Sequence, residues 1–129
     1  TKVVGGNFLE KVPDDLMDCD VFHMRYIVHD WDDATNVKLL KNIREIAEKS
    51  PKDSKKVVVV QDQIIETGAP SFFEKAKSLM AINMIASNPY GARERTVEEH
   101  GELFAAAGYK NSPTLVPMRS IISIVEVDL

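Results

Sequence analysis

Val57-Val58-Val59-Val60 is an unbroken β-branched run, bounded by Lys55-Lys56 on one side and Gln61-Asp62 on the other. Four consecutive residues of this kind lose little as a strand and much as a helix. Absence of polar alternation predicts a strand covered on both faces, the habit of parallel sheets, whose crossover helices lie over them. The chain should therefore contain helices on either side of such a strand, and its polar end at Asp62 should face a crevice where ligands collect.

The flanking segments fit that demand. Residues 20–28 are mostly apolar and β-favouring, and predict a strand running from Asp20 to Val28 that ends at the polar group His29-Asp30. Asp32 or Asp33 can cap a following helix with Val37, Leu40, Ile43 and Ala47 on one face, ending near Ser50-Pro51. After Gly68-Ala69-Pro70, a second helix is expected from about Ser71 to Ala86, with Phe72, Phe73, Ala76, Leu79, Met80 and Met84 forming a broad apolar face for the core. Thr96-Val97-Glu98-Glu99 has the form of a capping box for a third helix that stops at Gly108. Two final strands flank Pro117, the second over Ser120 to Val127. The pattern is α/β, with a mostly parallel sheet closed by an antiparallel edge hairpin. His29 and Asp62 then fall at the ends of neighbouring strands and converge on one crevice.

Bulk properties narrow the function. The 129 residues carry a net charge of -4, with 44% hydrophobic and 28% charged residues, the balance of an ordinary globular domain. Lysines and arginines are interspersed with acids and form no basic stripe, which argues against nucleic acid as a partner. No apolar stretch approaches the ~20 residues of a membrane helix, and a cytoplasmic location is expected. Cys19 is the single cysteine, read as a half-buried thiol. His29, Asp30, Asp32 and Asp33 form a dense cluster, but no metal-ligand spacing accompanies them and no metal is expected; the aspartates read as caps and helix-dipole partners. A Gly-x-Ser-x-Gly elbow is absent, so hydrolase chemistry has no nucleophile. His23 and His100 have no sequence partner and read as structural. What remains is His29, an imidazole able to accept a proton near neutral pH, with Asp62 and Glu94 the carboxylates best placed to orient it.

The string Arg25-Tyr26-Ile27-Val28-His29-Asp30-Trp31-Asp32-Asp33, followed by Lys38-Leu39-Leu40-Lys41-Asn42-Ile43, resembles the central signature of the plant and fungal caffeic-acid-type O-methyltransferases. Gly5-Gly6-Asn7-Phe8, Val12-Pro13, Val57 to Ile65, Asn88-Pro89, Glu94-Arg95-Thr96 and Ala107-Gly108-Tyr109 follow in the same order. This resemblance implies the C-terminal half of a Rossmann-like class I methyltransferase sheet with helices on both faces, using S-adenosylmethionine. It implies His29 as the general base, flanked by Asp62, where relatives usually carry glutamate, and by Glu94. Asn7, Phe8, Arg25 and Trp31 fall at cofactor-contacting positions, the first three differing from the usual aspartate, methionine and lysine. Asp30, Met84 and Asn88 fall on the acceptor side.

The implied substrate is a small-molecule hydroxyl, phenolic in most relatives, and the implied full-length protein is a homodimer. The family's Gly-rich cofactor loop and its N-terminal dimerisation domain have no counterpart in residues 1–129, so the chain is expected to be part of a catalytic domain, inactive alone and prone to associate through an unpaired strand edge. A different reading also stands at this level: a non-catalytic binding or assembly module descended from a methyltransferase. Methylation of nitrogen is a third.

Overall fold

The computed structural model describes residues 3–51, 54–66 and 72–129. Gly68-Ala69-Pro70 and the expected helix start at Ser71 lie outside them. Strand β1 covers Val21–Arg25, helix α1 Asp33–Glu48, β2 Val57–Asp62, β3 Ile64–Ile65, α2 Glu74–Ser87, β4 Arg95–Thr96, α3 Val97–Ala106, β5 Thr114–Val116 and β6 Ser123–Asp128. The main sheet has the order β1-β2-β6-β5, and β3 pairs with β4 in a second, two-stranded sheet. Strands β1 and β2 are parallel, whereas β6 runs antiparallel to both β2 and β5.

Register explains the core. Phe22 lies beside Val58, which lies beside Val127, and Met24 beside Val60, which lies beside Val125. These two rows form one buried face, onto which α1 brings Leu39, Leu40 and Ile43 and α3 brings Leu103 and Phe104. The opposite face carries Val21, His23 and Arg25, all exposed, and half-buried Val57 and Val59. Coverage of the valine run thus alternates among the described residues, where uniform burial was expected. Among the described residues α1 and α3 pack on the buried face, and an uninterrupted valine run does not itself reveal which of its faces is covered.

Local signals act where they are strongest. Asp32 caps α1, accepting from the Thr35 amide at 2.8 Å. Thr96 and Glu99 form the reciprocal capping box of α3. That helix ends with Gly108 at φ 88°, the Tyr109 amide bonding back to Phe104 O and the Gly108 amide to Ala105 O, which satisfies two carbonyls of the last turn.

Two expectations need correction. The first strand stops at Arg25, because Tyr26 adopts φ 54° and residues Val28–Asp30 form a 3-10 turn. The apolar face expected of the second helix does not enter the core. Phe72 is 95% exposed and Leu79 61%, while Met84 and the aliphatic stem of Lys77 are buried. Helix α2 is fastened through polar groups: Lys77 donates to Ile64 O at 3.0 Å and pairs with Glu66, and Gln63 donates to Lys77 O.

Candidate active site

The turn at Val28–Asp30 brings together groups from four segments. Tyr26, in the left-handed region where a bulky residue is strained, is held by a bond from its amide to Asp62 Oδ1 at 2.8 Å. Oδ2 of the same carboxylate accepts from the His29 amide at 3.2 Å. Asp62 therefore grips the main chain of the turn, not the imidazole as expected, because the strand ends beneath the turn and its short side chain reaches only the nearest amides.

The ring is oriented by Glu94. His29 Nδ1 lies 3.1 Å from Glu94 Oε1, and the Glu94 side chain is fully buried. An ionised carboxylate only accepts, so Nδ1 carries the hydrogen and Nε2 is left with a lone pair. Asp30 Oδ1 lies 3.7 Å from Nε2, beyond hydrogen-bonding range. Tyr26 stacks on the other side, its ring 5.5 Å from the imidazole and tilted by 23°, and the Arg25 guanidinium lies 5.1 Å from the Tyr26 ring centre.

Burial by itself would lower the His29 pKa, but the Glu94 hydrogen bond and the negative charges of Asp62, Glu94 and Asp30 together raise it above the ordinary 6.5. At Asp62, by contrast, burial dominates, pushing it up to about 6 despite the nearby His29 charge and the two backbone donors. Two groups with raised pKa values thus lie within one small volume, a recurrent mark of functional sites.

The remaining candidates divide into two sets. Beside the turn, Asn88 donates to Asp30 O at 3.2 Å, Met84 is buried one turn earlier in α2, and the Trp31 ring lies 5.6 Å from that of Tyr90. On the other side, Phe8 and Arg25 line an apolar groove of about 520 Å³ along β1, together with Val12, Leu16, Phe22 and Ile27. Trp31 does not line that groove, and Asn7 turns back locally, donating to Glu10 and accepting from the Leu9 amide.

The acids around the turn have other partners. Asp32 is the cap of α1, and Asp33 pairs with Arg93 and Arg95. Sequence reasoning passed over Tyr26, Asn36 and Arg95. The available signals were a bulky residue ending a strand, an amide on a helix face next to apolar residues, and a basic side chain beside Glu94. His100 is buried and bonded through Nδ1 to Thr96 O, and His23 is exposed beside Gln61, both in structural settings.

An O-methyltransferase domain profile matches residues 1–110, and the chain belongs to that family. Phenazine O-methyltransferase PhzM of Lysobacter antibioticus is 35% identical over 123 residues, covering 95% of this chain and 32% of that protein. Anthranilate N-methyltransferase of Ruta graveolens is also 35% identical, over 107 residues, covering 83% of this chain and 27% of the relative. Among solved structures, CalO1, a methyltransferase in calicheamicin biosynthesis in its SAH-bound form, superposes with a TM-score of 0.75 at 32% identity, covering 97% of this chain and 33% of its own. The neighbours establish a class I methyltransferase fold, of which these residues form an α/β part. The chain spans about a third of the length of the curated relatives it matches. Among the described residues no helix is long and apolar enough to cross a membrane.

Proposed function

We propose that this chain supplies the base and the acceptor side of an S-adenosylmethionine-dependent O-methyltransferase acting on a small-molecule hydroxyl, phenolic by analogy with its family. One observation carries the reading: the imidazole is held through Nδ1 by a buried carboxylate, leaving Nε2 as the proton acceptor. S-adenosylmethionine, when bound, supplies a methyl group on a positively charged sulfur. His29 Nε2 would take the proton of the acceptor hydroxyl, leaving its oxygen nucleophilic toward the methyl group the cofactor would supply. Glu94 stabilises the imidazolium that results, and Asp62 keeps the turn in place. Asp30, Met84 and Asn88 border the acceptor; Phe8 and Arg25, with Asn7 and Trp31 further out, would face the cofactor.

Positioning donor and acceptor contributes more than the base, up to about 7 to 11 kcal/mol against a factor of roughly 10² to 10⁴. In the full-length protein, His29→Gln should therefore lower kcat by about 10²- to 10⁴-fold and leave cofactor affinity nearly unchanged. Undiminished turnover would remove His29 from this role. The relationship to an N-methyltransferase supports a second reading, a nitrogen acceptor. An arylamine attacks through its own lone pair and needs little help from a base, so weak dependence on His29 would favour it. Exposed Leu79, Ile82 and Ile85, spaced along one side of α2, suit a homodimer, and a cytoplasmic setting completes the reading.

A further inference from the structure

The main chain carrying His29 is fastened almost atom by atom. Val28 O accepts from Arg95 Nη1 at 3.0 Å and from Asn36 Nδ2 at 2.8 Å. Trp31 O accepts from Arg95 Nη2 at 2.8 Å and from the same Asn36 amide at 2.9 Å. Between these two carbonyls, His29 O accepts from the Arg93 amide at 3.0 Å and Asp30 O from Asn88. The two residues that bracket the turn thus share a pair of side-chain clamps, one from α1 and one from β4.

The guanidinium is fully committed. Nε and Nη2 donate to Asp33 Oδ1 at 3.0 and 2.7 Å, Nη1 donates also to Arg93 O at 3.2 Å, and the residue is 1% exposed. A planar, permanently charged fork with five donors suits this arrangement. A lysine has three donors at one point and cannot span both carbonyls. A salt bridge to Asp33 alone would be met by either residue, so the three further bonds to the carbonyls of Val28, Trp31 and Arg93 point beyond charge pairing.

Adjacent residues also divide the work. Glu94 orients the imidazole, and Arg95, next in the chain, fixes the backbone from which the imidazole hangs. Consecutive side chains in extended backbone point to opposite sides. One short segment therefore sets both the ring and its support.

We propose that Arg95, with Asn36 as its second clamp and Asp33 as its counter-ion, is a positioning residue that holds the His29 turn at the distance and angle proton transfer requires. This rests on His29 being the base. Catalytic geometry is steep in distance, a misplacement of about 1 Å costing on the order of 10²-fold, so partial release of the turn should appear in kcat more than in binding.

The test is a double-mutant cycle in the full-length protein, with His29→Gln, Arg95→Lys and the two combined. Arg95→Lys should lower kcat by roughly 10- to 100-fold with KM changed by less than about 3-fold, and should shift the ascending, acidic limb of the pH–rate profile, on which His29 loses its proton. The combined variant should be no slower than His29→Gln alone, because a base that is absent cannot be misplaced. Losses that multiply in the combined variant, or an Arg95→Lys enzyme with unchanged kcat and pH profile, would overturn the proposal. If His29→Gln itself retains full activity, the catalytic reading fails, a separately recognisable result. Should Arg95→Lys not yield folded protein, Asn36→Ala takes its place in the cycle: it removes one donor from each carbonyl and leaves Arg95, and the same non-multiplying pattern is expected with a smaller loss.

Discussion

Asp62 Oδ1 accepts the Tyr26 amide at 2.8 Å and thereby stabilises a left-handed backbone at a bulky residue. The carboxylate meets two amides of the turn, yet its burial raises its pKa to about 6. Hydrogen bonding and desolvation oppose one another here, and desolvation wins.

That balance predicts a pH dependence of stability. With its ordinary value of 3.8 in the unfolded chain, Asp62 holds a proton in the folded state that the unfolded chain has already released. The folded state binds more protons between these values, so stability should fall as pH rises from about 4 to about 6, by roughly 3 kcal/mol in all, and level off above. Asp62→Asn keeps an acceptor for the Tyr26 amide and removes the titration. Denaturant unfolding between pH 4 and 7 should show this downward slope reduced in the variant; identical slopes would assign it elsewhere.

His29 works in the opposite sense for activity. A base is effective when deprotonated, so its raised pKa places the rise of kcat/KM in the full-length enzyme above pH 6.5. Glu94→Gln keeps an acceptor for Nδ1 but removes the charge that strengthens this bond, leaving burial as the dominant influence, and should move that rise to lower pH. Activity at the plateau should fall by about 10-fold or more as the imidazolium loses its partner. A profile that does not move would mean that Glu94 leaves the basicity of His29 unaffected.

Gly91 has φ 75°, and a Cβ there would lie 2.8 Å from the Asp32 Cβ and 3.3 Å from its Cα. Gly91→Ala must therefore both strain its own backbone and push residues 88–91 away from the start of α1. A loss of about 1 to 3 kcal/mol is expected. Trp31, the single tryptophan, stands against Tyr90 in that segment, so its fluorescence should change in the folded state and report the unfolding.

Those parts of the molecule governed by neighbouring residues were legible in the sequence. The Asp32 cap, the capping box at Thr96 and the Gly108 terminus each depend on side chains a few positions apart, and each forms as expected. The end of β1 was not legible. Tyr26 and Ile27 favour strands, and the chain turns there through partners distant in sequence, Asp62 lying 36 residues away. The face of α2 was misread for a similar reason. Its apolar residues recur at helical spacing, but spacing cannot say which layer they meet, and in this structure Leu79 and Met80 remain exposed while Lys77 is buried.

The site shows the same division. His29 stands out by type and position, and Glu94 follows from the resemblance. Asp62 was recognised as a partner but assigned to the ring, since sequence cannot distinguish a carboxylate that meets a side chain from one that meets the amides beneath it. Arg95 was visible beside Glu94 but had no assigned task, because its bonds to Val28 O and Trp31 O depend on tertiary approach.

Residues 29, 62 and 94 belong to separate segments of the chain, and no local stretch brings any two together. A partly assembled chain, in which helices have formed but the sheet has not closed, would carry an ordinary histidine titrating as a free one does. The elevated proton affinity of this imidazole is thus a measure of completed tertiary order, and its NMR titration would distinguish the finished site from any compact precursor.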